Sequence, residues 1–404
     1  MRILFVHERF GEWAGAEVNA RLTATALRRR GHEVGLLYGA ATGRGTDLWL
    51  AAFSLQAALP SAGAAAATAA LLAAFRPEVI YVHKMADLAV LETLVASGLP
   101  VVRMVHDHDL YCPRSYKYHY FSRQICRRPL SPYCLVPCGA FVQRQHGGGF
   151  PLRWTSYSAK KRELRLNQRF QRLIVASQYM KEELIRNGFL PEQVELLPPV
   201  PAALATPPRP EPAKGNLVVY AGQVIRGKGV DVLLESLARV KAPFECLIFG
   251  DGNHRAYCER LCQQLLLADR VRFRGYVPQA ELALAYRKAR VAVLSSVWPE
   301  PFGAVGLEAM RHGVPVVAFD AGGIGEWLVD GVNGYLVPWM DREEFAARLE
   351  QLLADPAWAE QLGRNARDWV SHHCDFPRYM SNLEALFERV TLEARQPSET
   401  LHHA

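Results

Sequence analysis

No stretch of this sequence reads as a membrane-spanning helix. The nearest approach, Ala57 to Phe75, is mostly alanine and holds Pro60, Ser61 and Gly63, which leaves it short of the hydrophobicity a span requires. It reads as a soluble alanine-rich helix. The start, Met1-Arg2-Ile3-Leu4-Phe5-Val6-His7, reads as a strand rather than a signal peptide, because the apolar run is too short and no small-residue cleavage site follows. The expected place is the cytoplasm, with the inner face of the plasma membrane as a peripheral alternative. Long polar stretches of the disordered kind are also lacking. The chain has 404 residues, half of them hydrophobic (50%), and a mean hydropathy of −0.04, enough for two cores of ordinary size.

Cysteine is sparse and unevenly placed. Four of the eight, Cys112, Cys126, Cys134 and Cys138, fall within 27 residues that are rich in tyrosine and proline and poor in periodicity. In a cytosolic chain such a cluster points to metal or redox chemistry rather than disulfides. The intervals of thirteen, seven and three residues between them match no standard zinc spacing. Two readings stay open: a structural zinc or iron–sulfur cluster bracing an insertion, or four reduced cysteines.

What is present is an alternation of strands and helices. Arg2–His7, Val34–Tyr38, Val79–Val82, Val101–Val105 and Leu173–Ala176 are strand candidates with amphipathic helices between several of them, as parallel βαβ units require. The densest proline stretch, from Pro198 to Pro212, cannot be the interior of a strand or helix and reads as a linker. A second alternating series begins at Leu217. The fold class is therefore α/β, with two Rossmann-like domains of parallel sheets.

The most informative segment is Trp298-Pro299-Glu300-Pro301-Phe302-Gly303-Ala304-Val305-Gly306-Leu307-Glu308. It follows an apolar run, Val291-Ala292-Val293-Leu294, that reads as a buried strand, and Gly303 to Met310 reads as the first turns of a helix. Both carboxylates then face a crevice at the carboxyl end of a strand, where open α/β sheets bind ligands. Gly303 and Gly306 would let a ligand approach the backbone, the helix start favours an anionic group, and an ionised carboxylate accepts from the paired hydroxyls of a sugar or ribose. The plain alternative is a helix start whose acids are stabilised by the dipole.

Upstream, Val218-Val219-Tyr220-Ala221-Gly222-Gln223-Val224-Ile225-Arg226-Gly227-Lys228-Gly229 reads as a strand, a glycine-rich loop and a helix from about Val230. Cations at the end of such a loop can neutralise a departing diphosphate. Gly250-Asp251-Gly252, Val271-Arg272-Phe273-Arg274-Gly275-Tyr276-Val277, Gly313-Val314-Pro315, Gly322-Gly323-Ile324-Gly325-Glu326 and Asp330-Gly331-Val332-Asn333-Gly334 then follow in order. Near the start stand Gly15-Ala16-Glu17 and Arg30-Gly31-His32-Glu33-Val34, and Val101-Val102-Arg103-Met104-Val105-His106-Asp107-His108-Asp109 is a strand ending in polar residues.

This series resembles the retaining glycosyltransferases of the GT-B fold, in particular glycosyltransferase family four with its Glu-x7-Glu motif. The resemblance covers nearly the whole chain and is weakest from about Tyr111 to Phe150. It implies two Rossmann-like domains facing a central cleft: residues 1–197 as the acceptor domain with a cysteine-containing insertion at about 111–150, a proline-rich hinge at 198–215, a nucleotide-sugar donor domain at 216–375, and a C-terminal helix and tail at 376–404 that crosses back onto the first domain. It implies that Glu300 contacts the donor sugar, Glu308 the ribose and Lys228 the diphosphate, with His106 near the sugar and Gly15 near the donor phosphate. Gly222, Val277, Gly303, Ala304 and Val305 are the further donor contacts it implies. The family's usual arginine after the glycine is here Gln223, and Arg226 is the candidate for the missing charge. Asp107-His108-Asp109 has the Asp-x-Asp form of metal sites in another glycosyltransferase fold, but on this scaffold Lys228 and Arg226 take the part of a cation, so no cofactor is required for catalysis.

The net charge of +7 belongs to one segment. Between Arg114 and Arg172 there are thirteen Lys or Arg against one acid, Glu163, which leaves 34 basic and 39 acidic residues elsewhere. Helical spacing puts Lys161, Arg165, Arg169 and Arg172 on one face and Leu166, Phe170 and Leu173 on another. A basic face suits an anionic membrane surface or a lipid-diphosphate acceptor, or serves solubility alone. No nucleic-acid motif accompanies it. The function these residues point to is transfer of a sugar from a nucleotide diphosphate to a glycan or lipid-linked acceptor with retention at the anomeric carbon, in cell-surface polysaccharide or glycolipid synthesis. The alternatives are a sugar-nucleotide epimerase of the same fold and an inactive sugar-nucleotide-binding protein.

Overall fold

The computed structural model describes residues 1–11, 15–144, 152–154, 156–200 and 215–396. Most of the proline-rich stretch, 201–214, thus lies outside the described residues. The chain divides into two compact units: Met1–Ser115 with Arg127–Ala202 and Phe376–Ala404 forms the first, and Tyr116–Cys126 with Ala203–Asp375 forms the second.

The first unit is a parallel sheet of seven strands: β1 (Arg2–Phe10), β2 (Glu33–Ala41), β3 (Leu55–Ala58), β4 (Val79–Lys84), β5 (Val101–Val105), then, past an antiparallel pair β6 (Val142–Arg144) and β7 (Leu152–Trp154), β8 (Arg172–Val175) and β9 (Val194–Leu196). Its order, β3-β2-β1-β4-β5-β8-β9, reverses direction between β1 and β4. The helices between are α1 (Gly15–Arg29), α2 (Thr46–Ala52), α3 (Ala64–Phe75), α4 (Leu88–Ala96), α5 (Tyr157–Asn167) and α6 (Gln178–Arg186). Central strands read as continuous apolar runs because helices cover both faces of a parallel sheet; Val101, Val102, Met104 and Val105 are all buried.

The second unit is a parallel sheet of six, β10 (Leu217–Ala221), β11 (Glu245–Phe249), β12 (Val271–Gly275), β13 (Val291–Leu294), β14 (Val316–Phe319) and β15 (Gly334–Val337), in the order β12-β11-β10-β13-β14-β15. Its helices are α7 (Val230–Leu237), α8 (Arg255–Gln264), α9 (Gln279–Lys288), α10 (Ala304–Arg311), α11 (Arg342–Ala354) and α12 (Pro356–His373). Val218, Val293, Val317, Phe319, Leu233 and Leu349 meet in its core. The order reverses between β10 and β13, so the loops after these two strands flank the switch point where such sheets take ligands.

A last helix, α13 (Phe376–Arg395), belongs to the first unit. Phe387 packs edge-on against Tyr81 at 5.1 Å, His32 Nε2 lies 2.9 Å from Glu384, and Arg172 donates to Glu393 at 2.9 Å.

Three expectations are corrected here. The alanine-rich stretch is not one helix: Ala57 and Ala58 pair with Leu37 and Tyr38 in an edge strand, and α3 starts only at Ala64, beyond the break that Pro60 and Gly63 impose. The basic face is shorter than helical spacing suggests, since α5 stops at Asn167 and Arg172 lies in β8, ion-paired to Glu393. Asn167 accepts from buried Arg103 at 2.7 Å, a contact that ties the helix end to β5. Finally, Tyr116–Cys126 does not group with the first unit despite its place in the sequence. Tyr118 and Ile125 bridge within the segment, while Arg123 pairs with Asp231 and Tyr116 packs on Trp298, so residues of the second unit hold it.

Candidate functional site

In the second unit, the loops after β10 and β13 are stitched together through their backbones. The N–H groups of Val297 and Trp298 both donate to Gly227 O, at 2.9 and 3.1 Å, and Ser295 Oγ donates to Lys228 O at 3.0 Å. The stitching brings Lys228 to Glu300: Nζ lies 2.6 Å from Oε1. The same oxygen accepts from Trp298 Nε1 at 2.9 Å and from Ser296 Oγ. Glu300 is only 4% exposed. Burial alone would raise its pKa, but the Lys228 charge and the hydrogen bonds from Lys228, Ser296 and Trp298 outweigh that and hold the carboxyl below its ordinary value. Lys228 also sits over the Trp298 ring at 4.9 Å.

Glu308 lies on α10. Its Oε2 accepts from Gln279 Nε2 at 3.3 Å, and burial raises its pKa. Gln279 opens α9 two residues after Val277, so the loop that carries Val277 ends beside this carboxylate. Gly303 is the residue before α10, and Ala304 and Val305 are its first two residues.

Gly306 has a different role from the one the sequence suggests. A Cβ there would lie 2.1 Å from Trp327 Cη2, so this glycine admits a tryptophan whose Nε1 donates to Phe302 O at 2.6 Å. Gly322, at φ 74°, is required for a similar reason: a Cβ would meet Glu300 O at 2.3 Å. Here the backbones run side by side, with Glu300 N donating to Ala321 O at 3.0 Å and Gly323 N to Glu300 O at 2.8 Å. The glycines set the Glu300 loop in place.

Arg226 opens a 3-10 turn, Arg226–Lys228, with its guanidinium 4.8 Å above the Tyr120 ring. Gln223 is exposed and its carbonyl accepts from Tyr220 Oη at 3.0 Å. Gly222 follows β10 directly, and its N–H donates to Phe249 O at 3.0 Å. The segment Tyr116–Cys126 therefore supplies aromatic neighbours to both cations: Tyr120 to Arg226, and Tyr116, through Trp298 at 5.7 Å, to Lys228. Arg123 fastens it by a two-point bond to Asp231, which His254 also approaches at 3.6 Å. Sequence reading missed this segment, whose only local signal is its density of tyrosine.

In the first unit, His106 follows β5 and is half-buried. Burial, then the neighbouring His7 and Lys84, lower its pKa to about 3, so it is neutral at physiological pH. Lys84 bridges the carboxylates of Asp107 and Asp109 at 2.9 and 3.0 Å. The Asp-x-Asp pair thus holds an ammonium group from the next strand. Burial and Asp109 raise Asp107, whereas Lys84 and Arg103 overcome burial and lower Asp109. Gly15 is the exposed first residue of α1, with open space around it. His7, His83 and Lys84 were not singled out from sequence. The signal available was a polar residue at the carboxyl end of each central strand.

Among the described residues no group of three or more His, Cys, Asp or Glu is placed to hold a metal ion. Cys126 falls in the second unit, and Cys112, Cys134 and Cys138 in the first. Among the described residues no helix is long and apolar enough to cross a membrane.

Two family models match the chain, Glycosyltransferase Family 4 over residues 13–200 and Glycosyl transferases group 1 over residues 206–369. Solved structures superpose over nearly the full length: sucrose-phosphate synthase from Thermosynechococcus elongatus at a TM-score of 0.75 and 20% identity, covering 97% of this chain and 100% of that one, and Anabaena HepE in complex with UDP-glucose at 0.73 and 20%, covering 96% and 100%. The fold is that of the GT-B glycosyltransferases. The family four match falls on the first half of the chain and the group 1 match on the second. The D-inositol 3-phosphate glycosyltransferase of Thermobifida fusca is 34% identical over 182 residues, 42% of this chain and 41% of that protein. The chain spans about two fifths to half of the length of the curated relatives it matches.

Proposed function

We propose that this protein is a retaining glycosyltransferase that moves a sugar from a nucleotide diphosphate to an acceptor held by its first unit. The observation that carries the reading is the Lys228–Glu300 pair at the switch point of the second sheet, a cation and a carboxylate fixed by Ser296, Trp298 and the Gly227 backbone. Lys228, with Arg226 in place of the arginine that Gln223 displaces, meets the charge that grows on the diphosphate as the glycosidic bond breaks, and the preset pair needs little reorganisation at that moment. Glu300 orients the sugar by accepting from its hydroxyls, and Glu308 accepts from the ribose diol. His106 is the first-unit residue assigned to substrate, and Gly15, Gly222, Val277, Gly303, Ala304 and Val305 complete the proposed contacts. No side chain here is a ready nucleophile, so the departing phosphate assists the acceptor on the same face of the sugar.

Anabaena HepE, which shares the fold, is in complex with UDP in one solved structure and with UDP-glucose in another, which makes a uridine nucleotide the first donor to try. The proposed acceptor is a glycan or a lipid-linked saccharide of the cell surface, and the proposed place of action is the cytoplasmic side of an anionic membrane. The test is turnover with UDP-, GDP- and ADP-sugars, an acceptor panel and product NMR. An axial donor giving an axial product, abolished in Glu300→Ala, supports the reading. An inverted product overturns retention, an epimerised donor points to isomerase chemistry, and binding without turnover points to an inactive sugar-nucleotide binder.

A further inference from the structure

The first unit carries a row of three histidines across adjacent strands, His7 on β1, His83 on β4 and His106 just past β5. The His83 and His106 rings are stacked, 5.2 Å apart at 21°, and His83 Nδ1 lies 2.9 Å from His106 Nε2. A single proton must sit between those nitrogens, because both rings are neutral: burial lowers His83 well below its ordinary value and His106 to about 3. Which ring donates decides what His106 offers to substrate.

The surroundings of His83 settle the choice. Its ring is stacked on Phe5 at 5.2 Å and lies edge-on to Tyr81 at 4.4 Å, and its Nε2 is enclosed with no hydrogen-bond partner among the described residues. If His106 donated, the His83 proton would be on Nε2, an orphan N–H in an apolar wall. Buried orphan donors are rarer in proteins than orphan acceptors. If His83 donates, only a bare lone pair is left there. His7 makes no hydrogen bond to His83: its Nδ1 accepts the Arg9 N–H at 3.0 Å, and its Nε2, itself without a hydrogen-bond partner among the described residues, lies 4.0 Å from Glu17.

We propose that His83 is a positioning residue for His106: its Nδ1–H donates to His106 Nε2 and fixes His106 as the Nδ1–H tautomer, a hydrogen-bond donor to substrate rather than a base. The one hydrogen bond His106 makes among the described residues is through Nε2, and the residue is only half-buried, so its Nδ1–H is open to a ligand. The charged and titratable groups facing His106 are His7, His83, Lys84, Arg103 and Asp109. The net effect on the ring is to keep it neutral, which holds the tautomer across the whole neutral range.

The inference rests on the transferase reading for its consequence, but not for its geometry. It is tested on the full chain labelled with 15N-histidine, by long-range 1H–15N correlation, with the His106 signals identified from their loss in His106→Gln. The wild type is expected to show a protonated Nδ1 and a bare Nε2. His83→Phe, which keeps a ring but no donor, should turn His106 to a mixture of tautomers and lower kcat about tenfold with little change in KM, the cost of one misdirected hydrogen bond. His83→Asn, whose amide nitrogen takes the place of Nδ1, should restore both. A proton on His106 Nε2 in the wild type, or an unchanged tautomer in His83→Phe, overturns the proposal. If the Phe variant does not fold, the wild-type spectrum alone decides. If no sugar is transferred by any form, the spectra still decide the tautomer, and only the transferase reading fails.

Discussion

Lys228 and Glu300, 72 positions apart in the chain, are joined by a 2.6 Å contact that spans the two loops flanking a sheet reversal. The pair is structural as well as chemical, because Glu300 is buried and ionised.

Removing the lysine should therefore cost stability as well as turnover. Lys228→Ala leaves Glu300 with neutral donors only, and about 2 kcal/mol of stability should be lost at pH 7, less than for a fully enclosed pair because the lysine is partly exposed. The folded pKa of Glu300 lies below its ordinary 4.5, so its contribution is present above that value and is lost as pH falls through the folded value. The deficit of Lys228→Ala should thus hold from pH 7 down to about 4.5 and shrink below it. Thermal unfolding across that range checks it; a deficit independent of pH would contradict it.

Arg123→Ala should release Tyr116–Cys126 from the second unit. Asp231, whose pKa the bonds from His254 and Arg123 hold down to about 2 against burial, gives stability above 3.8 that is lost as pH falls toward 2. The expected loss at neutral pH is about 2 kcal/mol in urea unfolding. Tyr120→Ala, which bares Arg226, should leave stability within about 0.5 kcal/mol but weaken donor binding several-fold.

Gly306→Ala tests the packing role of that glycine. Trp327 cannot yield without breaking its bond to Phe302, so the added methyl should destabilise by about 1–3 kcal/mol. A chemical-denaturation midpoint equal to wild type would show that the site accommodates it.

These variants also show what could be read from sequence. Val101–Val105 and Val291–Leu294 are strands with the bounds their apolar runs suggest, and α7 starts at Val230, just past the αL Gly229. Such features depend on local pattern and turn chemistry. The end of α5 was illegible because Asn167 is fixed by Arg103, 64 positions away, and helical spacing alone carried the pattern on to Arg172. Gly306 looked like a ligand-facing glycine because Trp327 is invisible to any local window. Tyr116–Cys126 was misplaced for the same reason: its anchor, Asp231, is 108 positions away. His83 went unnoticed because its meaning comes from the strand beside it.

The central claim is a nucleotide-sugar site in the second unit, and it is tested most directly by protection against thermal unfolding with UDP-, GDP- and ADP-sugars. The wild type should be stabilised by one nucleotide class, by about 2.7 kcal/mol at a hundredfold excess over Kd, with Lys228→Ala and Glu308→Ala each protected less. Stabilisation by no donor, or stabilisation that both variants retain in full, would contradict the account.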